Sequence, residues 1–415
     1  MAIKLPAKAK VVVVGGGVIG CSVAYHLTKL GWSDVLLLEK EQLTSGTTWH
    51  AAGLIVSGLL DDETSADIFT YSRNLYSTLE EETGLATGFK SIGYLQIACD
   101  TERLEEMRRS AAFMRNFGID CHEIGLEEAR SHWPNAKWDD VIGAFYTAED
   151  GRANPVDVTM SLAKGFRQRG GTLVEGVRVT DVLEQQGQVT AVVTDHGTVE
   201  TQFVVNCAGM WARQFGELAG VSLPLQAAEH YYLITEDMPG MTPTTPVLED
   251  PDRYAYFREE VGGMMIGLFE PEAAPWNLDR IPDDFSFGEI DPDWERMIPF
   301  LESAYERVPE AKNLGIRKFF CGPESFTPDL APLVGEAPEL RNYFVACGMN
   351  SLGILSGGGI GRILAHWIVN GQPDVDVTGI NVNRFHGCQA NQHYLGDRLV
   401  EVLGKMYEPH YPNLG

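Results

Sequence analysis

Apolar positions along this chain fall into two patterns, short unbroken runs and 3.6-residue spacing, and the two alternate as buried strands and covering helices do. Val11-Val12-Val13-Val14 is β-branched throughout and predicts a buried parallel strand over 10–14. A helix over 18–30 and an apolar strand over 35–38 follow, which makes an opening βαβ unit. Amphipathic spacing predicts helices over 66–83 and 155–169, a charged surface helix over 102–117 and another helix over 294–308. Strand patterns occupy 93–98, 171–184, 189–193, 203–209, 230–235, 253–257, 264–268 and 343–347, with a turn at Gly187. Gly357, Gly358, Gly359 and Gly361 are expected to lead into a last helix, ended by Asn370-Gly371-Gln372-Pro373.

Nucleotide-type and sheet-forming segments interleave, so the lobes are expected to be discontinuous. The fold class is α/β: a doubly wound, Rossmann-like nucleotide lobe from 1–85, 150–220 and 315–375, and a β-rich α+β substrate lobe from 86–149 and 221–314. Residues 376–415 are left as a C-terminal tail. At 415 residues the chain can bury a large two-lobed core.

Chemistry enters at the first turn. Gly15, Gly17 and Gly20 fill the G-x-G-x-x-G positions between strand and helix, with Val18 and Ile19 opening the helix. The first glycine allows the tight turn, the second lets backbone approach a pyrophosphate, and the third lets the helix pack closely on the sheet. The phosphate would sit at that helix N-terminus. Glu39, followed by Lys40, ends the second strand, where a carboxylate accepts hydrogen bonds from a ribose. Ser45-Gly46-Thr47-Thr48 is a run of small residues suited to wrapping a phosphate or flavin, which a bare NAD site does not need.

Composition narrows the partners. With 32 basic against 58 acidic residues the formal net charge is -26, a surface that repels nucleic-acid phosphates and anionic lipid. Solvation of an acidic surface is the preferred explanation, ahead of steering of a cationic substrate. No apolar run approaches a membrane span and residues 1–6 lack a signal-peptide core, so a cytoplasmic protein is expected. The seven cysteines form no C-x-x-C pair and read as reduced thiols. The ten histidines show no metal spacing, and neither Cys121-His122-Glu123 nor His386-Gly387-Cys388 has a second ligand pair, so no metal is expected.

Ser45-Gly46-Thr47-Thr48-Trp49-His50-Ala51-Ala52-Gly53-Leu54 resembles the motif of the flavin-dependent dehydrogenases and oxidases of sarcosine and dimethylglycine, within the D-amino-acid oxidase-like superfamily. Residues 204–212, 322–329 and 356–362 extend the resemblance over nearly the whole chain. It implies FAD, attached covalently through His50. It assigns cofactor contacts to Ser45, Gly46, Thr47, Thr48, Trp49, His50, Ala51 and Gly53, and to Val179, Ala208, Gly209, Trp211, Gly353 and Ile354. The last helix would aim its N-terminus at the flavin pyrimidine ring, although close packing through glycine would also require small residues there.

The resemblance also implies oxidative N-demethylation of a small N-methylated amino acid to an iminium, which hydrolyses to formaldehyde. His230 matches the family histidine near the substrate amine and Tyr256 a tyrosine beside it, with Tyr254 as the alternative if the register slips. Arg258 is placed to clamp a carboxylate or to form a salt bridge. Glu324 and Asp329 are read as part of a loop turning beneath the flavin, without a catalytic role. Oxygen or an electron-transfer protein would accept the electrons, and the oligomeric state is left open. In the resembled dehydrogenases a His-Tyr-Pro-Asn stretch like residues 410–413 leads into a folate-binding domain, which is expected to be missing. The rivals are an oxidase of another secondary or tertiary amine and a non-catalytic flavin-bearing regulatory subunit of the pyruvate dehydrogenase phosphatase type.

Overall fold

The strand Lys8–Val14 is buried on both faces and pairs in parallel with Val35–Glu39 on one side and Gly197–Asn206 on the other. Beyond these, Thr172–Glu175 and Tyr343–Cys347 continue the parallel sheet. Val179–Glu184, Val189–Thr194 and Leu333–Glu336 add antiparallel edges, for eight strands in all. Chain order reverses at Lys8–Val14, which makes a cleft beyond its carboxyl end, the usual ligand position in an open α/β sheet. This computed structural model describes residues 3–58 and 62–408.

Alternate side chains of the central strands fill two cores. Val11, Val13, Leu37 and Val205 pack under the helices Val18–Lys29, Glu63–Thr83, Pro155–Gln168 and Gly353–Asn370. Val12, Leu36, Leu38 and Val204 face the opposite core, with Phe215 of the short helix Ala212–Leu218. Helix Gly353–Asn370 begins before the glycine cluster, contrary to expectation, so Gly357, Gly358, Gly359 and Gly361 lie inside it. A methyl group added at Gly359 would stand 2.5 Å from Ile68 Cα and one at Gly358 2.8 Å from Ser72 Cα. Close helix packing is therefore what these glycines serve. The amide of Gly359 donates to Ser72 Oγ at 3.0 Å, a bond a wider helix spacing would break.

The second sheet has eight strands in the order Ile316–Phe326, Gln226–Thr235, Gly263–Leu268, Ala255–Glu260, Val247–Asp250, Tyr94–Ala98, Gly143–Thr147, Cys121–Ile124. Ile316–Phe326 belongs here, so the chain returns to the first sheet at Leu333 and not at the expected 315. One face, with Leu95, Phe257, Ile266 and Leu233, is buried under Trp133 and the helix Trp294–Arg307. Its other face carries a cross-strand row of directly paired residues, Phe320, Tyr232, Gly267, Tyr256, Glu249 and Gln96.

The expected tail is structured over its described part. Helix Gln392–Lys405 buries Leu395, Leu399, Val402 and Leu403, and Leu399, Val402 and Leu403 join Tyr407 in a core with Phe269 and Tyr256. The His-Tyr-Pro-Asn stretch lies outside the described residues. No helix among the described residues is long and apolar enough to cross a membrane.

Candidate active site

Two adjoining hollows lie between the sheets. The larger, about 390 Å³, sits beyond the carboxyl end of Lys8–Val14 and is lined by Gly15, Gly17, Val18, Ile19, Glu39, Lys40, Ser45, Gly46, Thr47, Thr48, Ala51, Val179, Ala208, Gly209, Trp211, Gly353 and Ile354. The smaller chamber, about 50 Å³, is lined by His50, Gly53, His230, Tyr232, Glu249, Tyr256, Phe269, Glu324 and Tyr407, among others. Glu324, Ser351 and Ile354 line both, so the two share a wall.

The cavity is built from backbone. Gly15 has φ +115°, and a Cβ there would lie 2.3 Å from Cys207 O. Helix Val18–Lys29 starts at Gly17 with no side-chain cap from that residue, but Thr48 Oγ1 accepts the Val18 amide at 3.1 Å. The segment 45–51 is thereby fastened to the helix start. Glu39 accepts the Gly16 amide at 2.7 Å and the Glu41 amide at 2.9 Å, so it shapes the glycine turn as well as lining the cavity. Lys40 lies 3.5 Å from the centroid of the Trp211 ring, and burial lowers its pKa to about 8.

Four of the residues expected to contact the cofactor do not line the larger cavity: Gly20, Trp49, Gly53 and His50, the last of which lines the chamber. Gly20 lines neither hollow; a Cβ there would lie 1.9 Å from Gly15 O, so its part is to let the helix close on the turn. Trp49 packs edge-on against His50 and Phe320 and lines neither hollow, and its buried Nε1 has no hydrogen-bond partner among the described residues. Gly53 turns the chain at φ +76° against Ala153 O and lies on the chamber side.

The chamber takes its polar groups from both lobes. His50 is 5% exposed, and desolvation lowers its pKa to about 4. It packs against Phe320 and approaches so near Gly322 that a Cβ there would lie 3.1 Å from His50 Cε1. His230 is the direct strand partner of Gly322, is buried, and leaves Nδ1 without a hydrogen-bond partner among the described residues. Burial pushes its pKa down and the nearby Glu324 opposes the shift. Tyr256 lies across Gly267, where a Cβ would come 1.8 Å from the ring, while Tyr254, at φ 53°, stands outside the strand and the chamber.

Arg258 is not on the chamber wall. Its Nη1 donates to Glu260 at 2.5 Å and to the Glu259 carbonyl at 2.8 Å, while its buried Nε has no hydrogen-bond partner among the described residues. Glu324 is a strand residue on the shared wall and not a loop residue, whereas Asp329 is bound to Arg384. Sequence reading missed Glu249 and Tyr407, which are far apart in the chain, and Asn350-Ser351. The latter pair, at φ 50° and 65°, turns along the wall before helix Gly353–Asn370. Left-handed backbone at two successive non-glycine residues is a strain expected at ligand sites, but no short motif announces it.

One further acidic group could hold a cation by spacing, Cys99 with Asp250 and Asp252. Arginines already occupy it: Arg307 binds Asp250 at 2.7 Å and Arg103 binds Asp252 at 3.0 Å.

Residues 10–367 match the family model described as FAD dependent oxidoreductase, and 370–414 match the FAD dependent oxidoreductase central domain. This chain belongs to the FAD-dependent oxidoreductase family. The second match shows that the stretch expected to be a tail is part of a family module. Human mitochondrial sarcosine dehydrogenase is 40% identical over 99% of this chain and 45% of its own length. The 4-methylaminobutanoate oxidase (formaldehyde-forming) of Paenarthrobacter nicotinovorans is 40% identical over 99% of this chain and 50% of its own. The chain thus spans about half the length of these relatives. Among solved structures, L-proline dehydrogenase from P. horikoshii superposes with a TM-score of 0.81 at 27% identity, covering 92% of this chain and 98% of that one.

The larger cavity fits the cofactor that the family uses. A Cβ at Gly15 would lie 2.3 Å from Cys207 O, helix Val18–Lys29 starts on the cavity wall, and Glu39 lines the same wall.

Proposed function

We propose that this chain holds FAD in the larger cavity, attached through His50, and oxidises a small N-methylated amino acid of the sarcosine or dimethylglycine type in the smaller chamber. In this reading the lobe of the first sheet carries the dinucleotide and the second sheet carries the substrate. One observation supports it most: a glycine-built cavity and a chamber lined by His50, His230 and Tyr256 share a wall. Bound there, FAD supplies the acceptor for a hydride from the carbon beside the amine nitrogen.

The remaining work belongs to the chain's own groups. An unprotonated imidazole keeps the lone pair that attachment requires, and burial keeps His50 in that form at neutral pH. His230, also held uncharged, can take the amine proton so that the nitrogen lone pair becomes the new C=N bond. Tyr256 remains a phenol, its pKa raised by burial, and can donate to the substrate. Leu54, Val56, Phe269 and Phe320 keep the lining largely apolar, which excludes water until the iminium leaves and hydrolyses to formaldehyde.

Anaerobic mixing of the flavin-loaded protein with a panel of N-methyl amino acids tests this directly. Bleaching of the flavin and about one formaldehyde per flavin are expected. A flavin that no amine bleaches would sink the proposal.

A further inference from the structure

Glu324 places a carboxyl oxygen where no described residue answers it. It is 6% exposed, stands on the wall between cavity and chamber, and its Oε2 has no hydrogen-bond partner among the described residues. Leaving a carboxylate oxygen buried without a donor is costly, so such an atom marks a place where a ligand supplies one. Among the described residues no lysine or arginine lines the chamber. Arg258, two residues along the strand from Tyr256, is engaged with Glu260. Glu249, the other carboxylate of the chamber, already accepts from Gln96 at 2.9 Å. His50 and His230 feel the Glu324 charge, yet burial keeps both imidazoles neutral.

We infer that Glu324 anchors the ammonium group of the incoming amine, so that the chamber selects positive charge on nitrogen, while no cationic side chain in its described lining reads the substrate carboxylate. This rests on the smaller chamber being the amine site. Alkylamines, like the lysine side chain, are protonated at neutral pH, so the bound form is the abundant one. One N–H bond then breaks, its proton passes to an imidazole nitrogen of His230, and the electron pair stays on the amine. The carboxylate remains beside the imidazolium so formed and offsets its charge.

Three compounds of one shape test the inference: 2-aminoisobutyrate, tert-butylamine and pivalate. None has hydrogen on a carbon bearing nitrogen, so none can give up a hydride there. Binding to the flavin-loaded protein at pH 7 is measured by calorimetry and by perturbation of the flavin spectrum. Both amines should bind at least about tenfold more tightly than pivalate, as a charge-assisted hydrogen bond allows. Glu324→Gln should erase that preference, weakening both amines while pivalate, freed of a like charge, binds more tightly; Glu324→Asp should keep part of the preference, and flavin content should stay as in the parent. Three results would overturn the inference: no preference for the amines in the parent, equal weakening of all three compounds in Glu324→Gln, or an altered flavin spectrum with the preference intact. The last would mean that Oε2 faces the cofactor. If N-methyl amino acids fail to bleach the flavin while the ammonium preference depends on Glu324, the proposed reaction falls and the anchor stands.

Discussion

His50 and His230 reach one chamber from opposite lobes, and burial gives both the neutral imidazole that the tasks proposed for them require. For His50 the expected consequence is a flavin that stays with the polypeptide after acid precipitation in the parent and is released in His50→Ala. Absorbance of the washed pellet measures it, and free flavin in the parent supernatant would refute the link. For His230, loss of the imidazole should slow the limiting rate of flavin reduction by on the order of 10²-fold, with a smaller change in the amine concentration at half-saturation. Tyr256→Phe keeps the ring over Gly267 and should cost less. Stopped-flow reduction under anaerobic conditions separates these effects. An unchanged limiting rate in His230→Ala would return that residue to a packing role.

At the scale of elements, two features depend on absent side chains. The helices Gly353–Asn370 and Glu63–Thr83 touch backbone to backbone through Gly358 and Gly359. Gly359→Ala should therefore lower stability by about 1–3 kcal/mol or more, since overpacking must push the helices apart, whereas alanine in an open helix would stabilise. Denaturant midpoints with an unchanged slope would show it. Gly267 plays the corresponding part in the second sheet, where its bare Cα supports the Tyr256 ring. Gly267→Ala should displace Tyr256 and slow flavin reduction at least as much as Tyr256→Phe, while FAD content stays normal. A variant as fast as the parent would show that the ring position is immaterial.

At the scale of the whole molecule, the chamber takes part of its lining from the last of the described residues. Tyr407, just beyond helix Gln392–Lys405, hydrogen-bonds Glu249, and burial raises the Glu249 carboxyl from 4.5 to about 7. A carboxyl whose pKa is raised by folding contributes stability that is complete below its unfolded pKa and is lost as pH rises through the folded one. The protein should thus lose stability from this group between pH 4.5 and about 7. Glu249→Gln, neutral at every pH, should gain on the parent over that window, by at most about 3 kcal/mol at pH 8. Urea unfolding at pH 5 and pH 8 compares them, and a pH-independent difference would contradict the raised carboxyl. Because Glu249 lines the chamber, the same variant reports whether its charge matters to amine binding.

Local pattern carried the nucleotide half of this protein. The run Lys10 to Val14, the glycines at 15, 17 and 20, and Glu39 act on one another within a single turn and two adjacent strands, so sequence order and spatial order coincide. The same holds for 45–51, whose resemblance to a known motif marked the loop that the structure brings to the cavity edge. Tertiary structure decided whatever depends on residues far apart in the chain. It selected Tyr256 over Tyr254, gave Arg258 to Glu260, and set Gly357 to Gly361 inside a helix. It also brought Glu249, Glu324 and Tyr407 to one chamber. A single glutamate or tyrosine has no spacing to betray it. Its meaning comes from which strand lies beside it, what has been removed from water around it, and which of its atoms is left without a partner.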